Sequence, residues 1–252
     1  MTIYYSILLF IIGSDLGSFY PVLATRWPLK RSIVKPRSHC DNCGSVLKVY
    51  ELIPILSYLL LRGKCRKCKT KIDPTSTIVE LFLGTSFCLA YLYYGFSLEF
   101  YLLLIILSLM AIIFVSDFKF MVILDSPLIA AIILVIALKI YYVGFNETII
   151  YICYGIITFA IMALFKFFGD KVFKKESLGG GDIKLSFLFG LILGWQLGLL
   201  SIALGSFIAF PIALYVTIKK DKSREIPFGP YLLLGLLISF FFGDLILNFL
   251  II

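Results

Sequence analysis

The sequence predicts an all-α polytopic membrane protein of about eight transmembrane helices, with a small cytoplasmic four-cysteine insertion after the first. Three observations carry that expectation. Of its 252 residues 61% are hydrophobic, and the mean hydropathy is +1.02, too apolar for an ordinary water-soluble surface. The apolar residues fall into runs long enough to cross roughly 30 Å of hydrocarbon. The basic residues, finally, collect in alternate connecting segments, as they do when one side of a membrane retains positive loops.

The elements follow in order. The first apolar run, Ile3 to Ala24, has no basic region before it and no small-residue cleavage site after it, so it reads as a retained span rather than a signal peptide. Further runs lie near 78–94, 98–116, 125–143, 148–168 and 230–252. A longer one, 185–218, is interrupted around Gly194-Trp195-Gln196-Leu197-Gly198, where two glycines suit a tight turn between two short spans. With eight spans, segments 26–77, 117–124, 169–184 and 219–229 share one side. All of the 23 Lys and Arg residues except Lys139 lie in or at the edge of these segments. That side is cytoplasmic, and both termini are expected outside. The net charge of +8 follows from the same bias, so no nucleic-acid partner is inferred.

Only 26–77 is large enough to form a domain outside the membrane, and it is too small for a strong core of its own. It contains Cys40-x-x-Cys43, 21 residues, then Cys65-x-x-Cys68. Each pair places two sulfurs on one side of a tight turn, and two such knuckles complete a tetrahedral zinc site. Gly44 suits knuckle geometry, and Arg66, Lys67 and Lys69 offset thiolate charge. Two disulfides are the alternative. The charge bias puts the insertion in the reducing cytoplasm, which favours a structural zinc site, since four sulfur ligands leave no open position for catalysis. His39, beside Cys40, reads as a solvated loop residue rather than a ligand. Cys88 and Cys153 lie in apolar spans and receive no role.

Charged groups within or at the edge of spans are functional candidates by default. Here they are Asp15, Glu80, Asp117, Asp125, Asp182 and Asp244. Asp182 follows Gly179-Gly180-Gly181, where backbone without side chains permits close approach and unusual dihedral angles. Asp117 ends the third span, and the topology places both carboxylates at similar depth on the cytoplasmic face. Two carboxyl groups sharing a low-dielectric site hold one proton between them, which can activate a water and protonate a leaving amine: the division of labour of aspartic proteases. The structural readings are that Asp182 caps the sixth span and that Asp117 pairs with Lys119. Asp125, followed by Ser126 and Pro127, is the better capping candidate and has a supporting role. Asp15 and Asp244 have no basic partner identifiable in the sequence, and a polar contact within the bundle is expected for each.

Seven ordered blocks of sequence resemble the type IV prepilin leader peptidases, bacterial inner-membrane aspartic proteases of the G-x-G-D type. They are "GSFYPVLATRWP", "PRSHCDNCG", "ELIPILSYLLLRGKCRKC", "IVELFLG", "SDFKFMVILD", "GGGDIKL" and "IPFGPYLLLG". The resemblance implies a first transmembrane helix over 1–25, a cytoplasmic four-cysteine domain over 26–77 and a transmembrane peptidase core over 78–252. It implies a catalytic dyad of Asp117 and Asp182, with Gly179 and Gly181 supplying permissive backbone. The substrates it implies are prepilins or pseudopilins, cut after a glycine at the cytoplasmic end of their hydrophobic segment. It also implies N-methylation of the new amino terminus with S-adenosylmethionine by the four-cysteine domain, including Gly63 and Lys64. No glycine-rich nucleotide loop supports the methyl donor site independently, and its residues are unassigned. The chain departs from the family pattern at Pro21, where Asn is common, and at Ile123-Leu124-Asp125, where Ile-Pro-Asp is common. Rival readings are another G-x-G-D intramembrane protease, a non-catalytic zinc-stabilised assembly factor, and a transporter, although no inverted pair of broken spans supports the last. Neither the pilin cut nor the oligomeric state is encoded in a readable motif.

Overall fold

A computed structural model describes residues 1–174, 176, 178–218 and 226–251. Of the basic segments expected from sequence, Lys175 and the stretch 219–225 lie outside the described residues, as does Ile252. Nine α-helices and no β-strand occur among the described residues: α1 (Thr2–Arg26), α2 (Leu56–Leu60), α3 (Thr75–Tyr94), α4 (Leu98–Phe120), α5 (Asp125–Tyr142), α6 (Phe145–Phe173), α7 (Gly180–Leu193), α8 (Trp195–Ile218) and α9 (Gly229–Ile251). Seven of them, all but α2 and α7, are long and apolar enough to cross a membrane. The chain divides into two compact units, Met1–Ser116 and Asp117–Ile252. The last turn of α4 belongs to the second.

The first unit is organised by α1 lying against α3. Small residues on α1 permit this. A Cβ at Gly13 would stand 2.7 Å from the Leu83 carbonyl oxygen, and one at Gly17 would stand 2.6 Å from the Glu80 Cα. Close backbone approach through small residues is how helices associate in lipid, where burying apolar surface offers no gain. Between these helices the chain leaves for the segment 27–74, with its knuckles, a 3-10 turn at Val49–Glu51 and the short α2. It returns at Asp73, whose carboxylate accepts the Thr75 backbone N–H at 3.0 Å and hydroxyl at 2.6 Å to start α3. Glu80 is buried in α3. Its carboxylate accepts the Ile55 N–H at 2.7 Å, and Ile55 has φ 62. A β-branched residue in the left-handed region costs about 1–3 kcal/mol, so this acceptor holds a strained turn next to the membrane helix.

The second unit encloses α7. This 14-residue helix buries nine residues, from Asp182 to Ile192, and packs against α5, α6, α8 and α9. A helix apolar all round belongs in the middle of a bundle. At 1.5 Å per residue it is about 21 Å long, short of the hydrocarbon thickness. The eighth span expected from sequence is therefore this short internal helix, added to seven full-length ones. The expected break falls at Gly194, whose φ is 87. Gly198 is not part of that turn; it lies inside α8, where its missing side chain lets the Gly190 backbone come close, 3.0 Å from where a Cβ would be. Thr158 of α6 donates its hydroxyl to the Ser186 carbonyl of α7 at 2.9 Å, which fixes the rotation of the central helix.

Two boundaries differ from expectation, and both matter for the site. The helix α6 continues to Phe173, so Lys166 sits within a helix instead of at the mouth of a loop. The helix α7 begins at Gly180, because Gly180, Gly181 and Asp182 are recruited into its start, with Gly179 at the cap position. Lys139, the one basic residue outside the expected basic segments, is 2% exposed, with its ammonium 3.1 Å from the centroid of the Tyr151 ring. A cation–π contact of this kind offsets burial of the charge.

Candidate active site and metal centre

The four-cysteine centre is built from two turns of the same design. In the first, the Cys40 N–H donates to the Ser45 carbonyl at 3.0 Å and the Gly44 N–H to the Cys40 carbonyl at 2.8 Å. In the second, the Cys65 N–H donates to the Thr70 carbonyl at 2.8 Å and the Lys69 N–H to the Cys65 carbonyl at 3.0 Å. Each turn is closed by an antiparallel bridge, His39 with Val46 and Lys64 with Lys71. The equivalent positions Gly44 and Lys69 have φ 66 and 61.

All four Sγ atoms lie within 4.8 Å of one another. Cys40 and Cys68 are 3.7 Å apart and Cys43 and Cys65 4.0 Å. These separations exceed the 2.05 Å of a disulfide and match the edge of about 3.8 Å implied by a tetrahedron with Zn–S of 2.3 Å. The donor set fits zinc, and a closed four-sulfur shell would make it structural. His39 is not part of the cluster; its Nδ1 lies 2.9 Å from the Arg37 carbonyl oxygen.

The thiols do not ionise independently. Hydrogen bonds from the Thr70 hydroxyl and backbone, then from Asn42, pull Cys68 down to about 5. Cys65 is also lowered, chiefly by the backbone N–H groups of Cys68 and Lys67. Cys40 receives backbone hydrogen bonds from Cys43 and Asn42, yet desolvation and its sulfur neighbours Cys65 and Cys68 push it up to about 11. A site that already favours thiolate at two positions is prepared for a cation.

Gly63 and Lys64 stand at the entrance to the second turn. Gly63 has φ 65, and a Cβ there would lie 2.8 Å from the Tyr58 hydroxyl. Its carbonyl accepts the Ile72 N–H at 2.8 Å. The Lys64 side chain is exposed.

In the second unit the structure brings Asp117 and Asp182 together. Asp117 lies in the last turn of α4 and Asp182 is the third residue of α7; they are 6% and 8% exposed. The two carboxylates are near enough to act on each other electrostatically. Each also has a backbone donor. The Gly229 N–H, at the start of α9, reaches Asp117 Oδ2 at 3.0 Å, where the helix dipole favours a negative charge. The Gly179 N–H supports Asp182, the reach-back half of a capping box. The capping alternative for Asp182 is thus realised in the same side chain that faces Asp117.

The surrounding loop is held from two sides. A Cβ at Gly181 would come 2.7 Å from the Ile123 Cβ, so only glycine lets the segment after α4 lie against the start of α7. Asp125 is the first residue of α5, and the cap position falls on Leu124. Its carboxylate does not cap; it meets Lys184 Nζ at 2.7 and 2.9 Å, tying α5 to α7. Asp15 and Asp244 are exposed on α1 and α9, not turned toward a polar contact in the bundle as expected.

Comparison with known proteins assigns this geometry to a family. Residues 11–94 match the bacterial peptidase A24 N-terminal domain, and residues 104–214 match the type IV leader peptidase family. A prepilin leader peptidase/N-methyltransferase of Bacillus subtilis is 33% identical, with 96% of each chain covered. The protein of the same description from Vibrio cholerae is 33% identical over 94% of this chain and 96% of its own. A type 4 prepilin-like proteins leader peptide-processing enzyme of Escherichia coli is 30% identical over 88% of each. The chain belongs to the type IV leader peptidase family. Its N-terminal family region contains all four cysteines, and its leader peptidase region contains both aspartates. No solved structure matches the chain.

Two groups around these sites were not singled out from the sequence, and for Glu80, a candidate as a charged residue in a span, the role was not. Gly229 carried a signal only as the glycine before Pro230 at a helix start. Lys166 was counted as a topogenic charge. The acceptor role of Glu80 toward Ile55 carried no signal, because it joins positions 25 residues apart through a strained turn.

Proposed function

We propose that the chain removes the basic leader from type IV prepilins or pseudopilins and methylates the amino terminus so exposed. The observation that carries the first activity is the buried pair Asp117 and Asp182, each with one backbone donor and each within the other's field. Two such carboxyls hold one proton between them, because two adjacent buried anions are costly. The anionic partner takes a proton from water as it attacks the scissile carbonyl. The protonated partner gives its proton to the departing amine. The two members end with their roles exchanged and one proton still between them, so the pair acts as a unit and is ready for the next substrate. Gly179 lets its backbone lie against the Asp182 carboxylate, and Gly181 lets the Ile123 segment close against the start of α7, so both support the pair through close backbone approach.

In this reading 1–25 is the first membrane helix, 26–77 a cytoplasmic domain carrying the methyl-transfer machinery, and 78–252 the peptidase core. The protein lies in the bacterial cytoplasmic membrane with both termini outside. Cys40, Cys43, Cys65 and Cys68 would hold zinc, which supplies a structural cross-link when bound. Gly63 shapes the turn beside the second knuckle, and Lys64 presents a positive charge there. The methyl donor in this reading is S-adenosylmethionine, as the family resemblance implies, and the relatives are described as N-methyltransferases. The test is mass spectrometry of a purified prepilin incubated with the protein. Loss of the leader and, with the methyl donor, a gain of about 14 Da (one CH₂) report the two steps separately. A wild-type protein that leaves the prepilin intact overturns the assignment.

A further inference from the structure

We propose that Lys166 is a positioning residue for the aspartate pair: its ammonium holds the Leu178–Gly179 peptide in the orientation that aims its N–H at Asp182. The inference rests on the peptidase reading above and adds a residue outside the dyad to it.

One peptide group faces both ways. Lys166 Nζ donates to the Leu178 carbonyl oxygen at 2.8 Å, and the N–H of that same peptide, on Gly179, supports the Asp182 carboxylate. A Cβ at Gly179 would stand 2.9 Å from Asp182 Oδ2, so peptide and carboxylate are in close contact. A peptide bordering glycine turns over at little steric cost, and nothing in the glycine run itself selects the orientation seen. An ammonium on the carbonyl selects it. A carbonyl bonded to a cation also makes its own N–H a stronger donor.

The placement of Lys166 serves this role. It projects from α6 with its side chain 23% exposed, so its charge is screened less than that of a surface lysine. Its contact with Glu176 is 3.9 Å, and Glu176 is 90% exposed, a pair of small worth. The charged groups on the element ends meeting here, besides Lys166, are Asp170 and Lys171 in the last turns of α6, Lys174 after it, Glu176 in the loop, Asp117 and Lys119 in the last turn of α4, Asp125 paired with Lys184, and Asp182. Asp117 and Lys166 act on the Asp182 charge, with opposite sign. Lys166 therefore both aims a hydrogen bond and offsets the repulsion that Asp117 imposes.

The experiment compares full-length wild type, Lys166→Met, Lys166→Arg and Asp182→Asn in detergent, cleaving one purified prepilin across a range of pH. Lys166→Met is expected to lower kcat about tenfold, the rate equivalent of one lost hydrogen bond, with KM changed less than about twofold because no substrate contact is removed. Its pH–rate profile moves to higher pH, since a carboxylate pair that loses a neighbouring cation gives up its proton less readily. Lys166→Arg keeps charge and donor and restores both kcat and the profile. A Lys166→Met protein with wild-type kcat and profile overturns the proposal while the peptidase reading stands. So does an equal loss in Lys166→Met and Lys166→Arg accompanied by an equal fall in thermal midpoint, which marks a structural lysine. If wild type cleaves nothing, or Asp182→Asn cleaves as well as wild type, the peptidase reading falls first and the inference falls with it.

Discussion

The cysteine cluster and the aspartate pair are both small polar constellations in an apolar chain, and they are assembled by opposite means. Each cysteine turn is closed by hydrogen bonds spanning four or five residues, from Cys40 to Ser45 and from Cys65 to Thr70. The aspartates come from positions 117 and 182, and the donor to Asp117 comes from position 229, across 112 residues. The first centre depends on local turns that a metal would lock together. The second depends on three membrane-embedded helix ends being held in register by the packing of α7 among its neighbours. The two centres therefore have different failure modes, and each can be broken without the other.

The largest effect is expected from the metal. Structural zinc sites contribute about 10–16 kcal/mol of apparent binding free energy that is also folding free energy. Cys65→Ser removes a ligand that is 4% exposed and should abolish zinc retention and methyl transfer together, as read by metal analysis of the purified protein and by prepilin mass. Leader removal should persist, since its groups lie in the second unit. Loss of both activities with intact membrane helices would show that the separation drawn here is wrong.

The converse break is at the dyad. Asp117→Asn or Asp182→Asn should each lower cleavage by about 10³-fold, within the range for removal of a general acid or base, because one carboxyl cannot do the work of the pair. Zinc content should be unchanged. A peptide supplied already cleaved should still be methylated. Equal loss in both variants is the signature of a unit; a variant at either position that cleaves at the wild-type rate would dissolve it.

How far each centre was legible follows from the same contrast. The metal ligands could be read because Cys-x-x-Cys states a local geometry, and the four sulfurs meet as that spacing implies. The gathering of Asp117 and Asp182 was readable from the residues through topology, since charge bias put both helix ends on one side, and from the family resemblance. The details of that site were not readable. Recruitment of Gly180 and Gly181 into α7 depends on burial of that helix by its neighbours. The bonds from Lys166 to Leu178 and from Gly229 to Asp117 join distant elements and leave no periodic trace. Asp125 followed by Ser126 and Pro127 looked like a cap, but α5 starts one residue earlier than that pattern places it, with Leu124 at the cap position, and the Asp125 carboxylate meets Lys184 instead. The turn at Gly194 was visible because a glycine–tryptophan break interrupts an otherwise continuous apolar run, whereas the packing role of Gly198 needed the position of Gly190.

A smaller effect tests whether the aspartate site depends on register. Gly181→Ala places a Cβ 2.7 Å from that of Ile123, so the segment between α4 and α5 must move. Misplacement of a reacting group by about 1 Å costs up to 10²-fold, and cleavage should fall between about tenfold and a hundredfold. Adding Ile123→Gly removes the obstructing Cβ and should recover part of the loss. A double variant no better than Gly181→Ala would mean that the glycine serves backbone conformation and not contact.

The smallest effect separates the two cysteine turns from each other. Gly44 and Lys69 occupy equivalent positions at φ 66 and 61, but one is the residue suited to that conformation and the other is not. Nothing lies within 4 Å of a Cβ built on Gly44, so Gly44→Ala changes backbone energy alone and should weaken zinc retention by about 1–2 kcal/mol, the cost of a left-handed L-residue. Lys69 already bears that cost. Lys69→Gly relieves it, less the added freedom of glycine in the unfolded chain, and should strengthen retention by up to about 1 kcal/mol. Chelator competition on the full-length protein reads both. Opposite signs at the two positions are required if the turns share one geometry and differ only in how well their sequences suit it; a loss at both would mean that the Lys69 side chain contributes more through its charge beside the thiolates than its backbone costs.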